Sequence, residues 1–262
     1  MIIDANVHIT VDGKWFTTPH DASVERLRAC IEEAGIDAAI AVPLPGTIGN
    51  TEQEKLIASD KKIIHACTFN PAAYDSPATA AAAFRAEFGH GKKRFVKFHN
   101  RFGKYHAADE RFLAVMQAND ALEVPMVVGV CGLLHDRNTP EAIDPLAYFF
   151  NLAQSIRNTQ LIIMHGGGTR ILQMAEMCRD LHHVHIDLSM TLSKYKSTSV
   201  ASDIRWLCHH YDRRIIWASD FPEVSILQAL QDFDEVVGAI AAEKRANILG
   251  LNIAKLLDIA LP

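Results

Sequence analysis

Residues able to bind a metal or carry a proton stand at the ends of three apolar runs in this 262-residue chain. Ile2-Ile3-Asp4-Ala5-Asn6-Val7-His8 ends on an imidazole, Leu161-Ile162-Ile163-Met164-His165 on a second, and Ile215-Ile216-Trp217-Ala218-Ser219-Asp220 on a carboxylate. Side chains two apart share a strand face, so Asn6 and His8 point the same way. Singly, each has an ordinary structural reading. A strand-end His is most often a hydrogen-bonded packing residue, and an Asp before Phe221-Pro222 can simply open a turn. Gathered at one rim, two imidazoles, a carboxylate and water make an open site for a divalent ion, Zn²⁺ first and Mn²⁺ second. Gly166, Gly167 and Gly168, directly after His165, either cradle a phosphate at a helix start or let that helix pack closely.

The elements that would gather these ends recur along the whole chain. Short apolar, β-branched runs begin near Ile2, Ile36, Ile63, Arg94, Pro125, Leu161, His183 and Ile215. Helix-period segments separate them, as expected when each strand is followed by a helix and a return. In the segment 21–34, Val24, Leu27, Ile31 and Ala34 recur at spacings of three and four, with Asp21 as N-cap and Gly35 as stop. Segments 109–122 and 169–181 repeat the design. An α/β chain with eight such units closes into a (β/α)₈ TIM barrel or stays open as a doubly wound sheet. Polar residues at the ends of several strands favour the barrel, which collects its chemistry there. With no linker or low-complexity stretch, residues 1–262 read as one domain.

Composition narrows the partners. Lys and Arg number 26 against 31 Asp and Glu, a net charge of −5, so no global field recruits nucleic acid or an anionic membrane. The run Lys92-Lys93-Arg94 reads as a solvated loop. Five scattered cysteines without a C-x-x-C pair fit a reduced, cytoplasmic protein, and no apolar stretch is long enough to span a bilayer. The expected partner is a small molecule, and a homo-oligomer is compatible with the sequence. Lys97, His99 and Arg101 follow one another at the end of the fourth run. If Lys97 and His99 face the cavity, they would give the mouth a positive side suited to a carboxylate or phosphate; a solvated loop is the alternative. Asp187 and His185 share a face of the seventh run, and the pattern does not choose which points inward.

Six segments in order resemble the amidohydrolase superfamily, in the branch of aminocarboxymuconate-semialdehyde decarboxylase and dicarboxylate lactone hydrolases. IDANVHI is similar to that branch's I-D-x-H-x-H, RFVKFHN to G-V/I-K-L-H-P, and LIIMHGGG to A-H-x-G-G. VHIDLS is similar to N-V-Y-x-D-x-S, IIWASDFP to G-S-D-F/Y-P, and ANILGLNIAKLLDI to the closing I-L-x-x-N-A-x-x-L-L. The resemblance covers nearly the whole chain. It implies a metal held by His8, His165 and Asp220, with Asp220 also handling protons. Two positions depart from the pattern: Asn6 replaces the first His of the opening motif, and Gly129 stands where a P-V-x-x-H strand would end. His99, His106 and His135 are the nearby imidazoles that could substitute. The implied activity is metal-assisted hydrolysis of a small, anionic lactone, amide or related carbonyl compound. Non-oxidative decarboxylation on the same site is the alternative, and a degenerate barrel that only binds a ligand is the reading from another class.

Overall fold

The computed structural model describes residues 1–89, 94–106, 108–132 and 144–260. Strands and helices alternate in the expected order. They are β1 (Ile3–Val7), α1 (Val24–Ala34), β2 (Ala38–Ala41), α2 (Asn50–Ile57), β3 (Ile63–His65), β4 (Cys67–Thr68), α3 (Pro77–Phe88) and β5 (Phe95–Phe98). There follow α4 (Asn100–Gly103), α5 (Glu110–Asp120), β6 (Val127–Cys131), α6 (Pro145–Ser155), β7 (Leu161–Met164), α7 (Ile171–Asp180) and β8 (Val184–Asp187). The chain ends with α8 (Thr191–Tyr195), α9 (Val200–His210), β9 (Ile215–Ile216), α10 (Ile226–Val237), α11 (Ala242–Ala246) and α12 (Asn252–Leu256).

All the strand pairings are parallel, β1-β2-β3 in one run and β4 through β9 in the other. Only Ala66 separates β3 from β4, so the two make one stave of the wall. The other seam forms beyond β9, where Val7 pairs with Phe221, His8 N donates to Phe221 O at 2.8 Å, and Asp220 N donates to Asn6 O at 3.1 Å. These are the staves of a (β/α)₈ barrel, and the seam lies at the strand ends that carry Asn6, His8 and Asp220.

Side-chain alternation divides the apolar residues into two layers. Ile3, Ala5, Ile40, Phe95, Val127, Ile162, Met164, Ile216 and Ala218 fill the barrel interior, which Ile253 and Leu256 of α12 help to close. The opposite set, including Val7, Val96, Val128, Ile163 and Ile186, packs against the helices. One irregularity matters for the site. Between the pairs Asp4–Ala39 and Val7–Ala41, β1 contains one residue more than β2. The bulge reverses the facing of β1, since Ala5 packs in the interior and Val7 against the helices. It thereby turns Asn6 and His8 inward.

Capping sets the helix starts. Ser23, rather than Asp21, caps α1 by accepting from Arg26 N, while Asp21 accepts from Ser23 N at 2.8 Å in the turn before it. Gly35 ends the helix in the left-handed region at φ 63°. Gly129, the second departure from the motif, sits inside the barrel wall. A Cβ there would lie 2.7 Å from the Phe95 ring and 3.1 Å from Met164 Sδ. The space a longer side chain would need is occupied by these neighbours. Gly129→Ala is expected to cost about 1–3 kcal/mol by overpacking. An unchanged urea midpoint would show that the Phe95 ring has room to move.

Candidate active site

Four strand ends and the turn after β8 converge on one buried cluster. Its central group is Lys97 on β5, only 1% exposed. Its ammonium donates to Asn6 Oδ1 at 3.0 Å and to His8 Nε2 at 3.3 Å. Asn6 is oriented by its partners. Lys97 can only donate, so the amide oxygen faces it. The amide nitrogen donates to Asp220 Oδ1 at 2.7 Å and to Ser189 Oγ at 3.3 Å. His8 is fixed in the same way. Nδ1 lies 2.7 Å from the carbonyl of Val42, which only accepts, so the proton is on Nδ1 and the Nε2 lone pair faces the cluster. The Trp15 ring stacks on His8 with centroids 5.5 Å apart, and its indole N–H donates to Glu223 at 2.6 Å.

His165 enters from the end of β7 with its backbone in the left-handed region, at φ 59°, as does Asp220 at φ 69°. Such backbones are costly for non-glycine residues and are concentrated at functional sites. His165 Nδ1 lies 3.2 Å from Ser189 O and 3.0 Å from Ser189 Oγ. Asp187 at the end of β8 braces this corner, accepting from His165 N at 3.0 Å, from Ser189 N at 3.2 Å and from the Ser189 hydroxyl. The ambiguity within β8 is thus resolved: Asp187 supports the site. His185, lower on the strand, lines a separate cavity with Arg214 and Lys255. The three glycines after His165 all have positive φ, and a Cβ on Gly167 would lie 2.6 Å from Met174, so their role here includes close packing of α7.

The charges are strongly coupled. Burial would raise Asp220, yet the His165 and Lys97 charges hold it well below the usual carboxylate range. Burial opposes the charged form of His165, but Asp220 and Cys131 push it up to about 9. Burial and the Lys97 charge lower His8, against the pull of Asp220. At neutral pH the cluster therefore pairs an ionised Asp220 with a cationic His165 beside a neutral His8. Asp4, beneath the β1 bulge, accepts from Asn6 N and Ser219 N, and burial pushes it up to about 7.

That shift has a measurable sign. Between about pH 4 and pH 7 the native state retains a proton on Asp4 that the unfolded chain has released, so stability falls as pH rises through this window. Asp4→Asn keeps an acceptor for the two backbone donors. It is expected to exceed the parent in urea midpoint at about pH 8 and to match it at about pH 4. A constant difference across that range would mean that Asp4 titrates normally.

The other expected site residues divide. His99 caps α4, accepting from Phe102 N, and is 6% exposed. Burial and the charges of Lys97 and His165 hold it well below its ordinary value. Arg101 is exposed on α4. Of the two alternatives for Lys97, the structure has the cavity-facing one, and it is buried in the cluster rather than open at the mouth. His106 lies beside Asp109, before α5. His135, and Lys92 and Lys93 of the basic run, fall outside the described residues. Ser189, Trp15 and Asp4 are not singled out as site residues by the sequence pattern, although VHIDLS contains the first of them.

A divalent ion can be tested against this donor set. His8 Nε2 and Asp220 Oδ1 stand 3.4 Å apart. That is about the spacing of adjacent ligands on a tetrahedral zinc with bonds of roughly 2.0–2.1 Å. The fit stops at two. No group of three His, Cys, Asp or Glu side chains among the described residues is arranged to hold a metal ion. Asn6 uses its oxygen on Lys97 and its nitrogen on Asp220, and His8 Nε2 already accepts from the ammonium. As arranged, these residues do not fit a resident metal.

Comparison with known proteins follows the architecture. An amidohydrolase from Burkholderia multivorans solved with bound zinc superposes with TM-score 0.68 at 16% identity, over 99% of this chain and 100% of that one. The 5-carboxyvanillate decarboxylase LigW from Sphingomonas paucimobilis gives 0.66 at 14%, over 99% of each chain. A probable 2-pyrone-4,6-dicarboxylic acid hydrolase from Acinetobacter baumannii, solved with citric acid, gives 0.60 at 15%, over 98% of this chain and 99% of that one. At such identities the likeness is one of fold. No curated protein matches the chain. The amidohydrolase family model, however, matches residues 3–259, nearly end to end, and to that family this chain belongs.

Proposed function

We propose that the chain is a hydrolase of a small anionic carbonyl compound, a lactone or amide, with Asp220 taking the proton from the attacking water. The observation that carries the reading is the charge layout of the cluster. At 7% exposed, Asp220 is its most accessible charged member, with His165 at 3% and Lys97 at 1% behind it. An ionised carboxylate backed by two cationic groups can accept a proton while those groups stabilise negative charge developing on a carbonyl oxygen. An anionic substrate would be drawn to the same cations. Its charge would raise the pKa of Asp220 and make it a better base once bound.

The aromatic side chains favour a planar or cyclic substrate. Trp15 stacks on His8, Phe16 packs on Trp15 with centroids 4.7 Å apart, and Phe102 stacks on Phe16 at 5.2 Å. Phe16 is 48% exposed, so this wall extends into solvent. Decarboxylation remains the second reading, favoured by the likeness to a 5-carboxyvanillate decarboxylase and by cations able to stabilise a developing carbanion.

The test uses substrates of the two neighbours. Purified protein is incubated with 2-pyrone-4,6-dicarboxylate, its neutral dimethyl ester and 5-carboxyvanillate. The expected result is ring opening of the dicarboxylate, followed by loss of pyrone absorbance, with little turnover of the ester. Release of carbon dioxide from 5-carboxyvanillate without pyrone hydrolysis would transfer the assignment to a lyase. Turnover of neither acid would remove the proposed reaction for these two ring systems.

A further inference from the structure

A fully buried lysine needs an explanation, because an ammonium is costly to desolvate unless paired. Lys97 has partners on two sides. Asn6 Oδ1 and His8 Nε2 accept from it, and the Asp220 carboxylate lies across the amide of Asn6. We propose that the Lys97 ammonium is the resident cation of this site and keeps a divalent ion out of it. The inference does not depend on which reaction the site performs.

Three features of the geometry support it. First, the lone pair of His8 is aimed at the cluster by the Nδ1 bond to Val42, as in a metal-binding imidazole, yet what it meets is a lysine N–H. Second, the residue that departs from the family motif is the one the ammonium needs. Asn6 bridges a cation and an anion, with its oxygen on Lys97 and its nitrogen on Asp220. Third, an ion seated on His8 Nε2 would displace the ammonium from that lone pair and stand against its charge in a poorly solvated space. Asn6 and Lys97 thus form one device: an amide facing an ammonium in place of an imidazole facing a metal. Gly129 fits the same picture, since Phe95 and Met164 occupy the space that another inward ligand would require.

The test is metal uptake, read without substrate. Untagged parent protein and Lys97→Ala are incubated with ZnCl₂, desalted and analysed for zinc, and their affinities are measured by calorimetry. The expected result is no stoichiometric zinc on the parent. Lys97→Ala should gain about tenfold or more in affinity, equivalent to roughly 1.4 kcal/mol of relieved repulsion. Stoichiometric zinc on the parent that is lost in His8→Ala would overturn the proposal, and so would a Lys97→Ala variant that folds and binds no better than the parent. If Lys97→Ala does not fold, the ring ¹⁵N signals of His8 and His165 in the parent decide. They should stay in place when one equivalent of ZnCl₂ is added, and a large shift of His8 Nε2 would refute the assignment. Because no substrate is present, failure here leaves the hydrolase reading standing, and failure of the pyrone assay leaves this one standing.

Discussion

Lys97→Met is expected to destabilise the chain by about 3 kcal/mol or more, the cost of stripping one partner from a buried charged network. Methionine fills much the same volume, so the loss is electrostatic rather than a cavity. Without the ammonium, Asn6 Oδ1 and His8 Nε2 lose their donor. Asp220 keeps the His165 charge but loses that of Lys97. The removal should also ease protonation of His8, since the Lys97 charge is one of the two causes that lower it. Urea unfolding of the parent, Lys97→Met, Asp220→Asn and the double variant separates these effects. The double variant should lose less than the two single losses combined, because removing both charges leaves neither one stranded. Simple additivity would mean that the two groups do not sense each other.

The fold was legible because it rests on periodicity. Each expected strand start lies within two residues of an observed one, from Ile2 against Ile3 to Ile215 itself. The strand-end residues were legible for the same reason: Asn6 and His8 do share a face, and both meet Lys97. The bulge in β1 was not, because an added residue is defined only against the partner strand. For Lys97 the sequence leaves two alternatives, a cation facing the cavity or a solvated loop, since charge beside Arg101 looks the same in either. Its burial depends on Asn6, 91 positions away. Trp15 was missed because its contacts with His8 and Glu223 come from a loop with no regular period. Asp187 was seen but left ambiguous, since a β pattern shows which residues share a face and not which end of the barrel is chemical. The metal expectation followed residue types at three strand ends. Residue type alone does not show that Lys97, on a fourth strand, donates to Asn6 and His8 there.

Asp220→Asn is expected to reduce kcat by about 10²- to 10⁴-fold, the range for loss of a positioned acid–base group. The substitution is close in shape. An amide oxygen at this position still accepts from Asn6, and the backbone bonds from Asp220 N to Asn6 O and from Glu223 N to Asp220 O do not involve the side chain. What disappears is the ability to take a proton, together with one negative charge. Those two losses have opposite consequences for an anionic substrate. Turnover falls because water loses its base. Binding holds or tightens, because the carboxylate that repelled the substrate is gone while Lys97 and His165 remain. His165 should lose part of its elevated basicity, since Asp220 is the largest cause raising it towards 9. Steady-state kinetics on 2-pyrone-4,6-dicarboxylate would show a collapsed kcat with a KM that is unchanged or lower, and circular dichroism would show the barrel intact. A purely structural role would raise KM and lower the unfolding midpoint together. If kcat survives in a folded Asp220→Asn variant, the proton goes elsewhere, and His8 Nε2 is then the next acceptor to test, once Lys97 no longer occupies its lone pair.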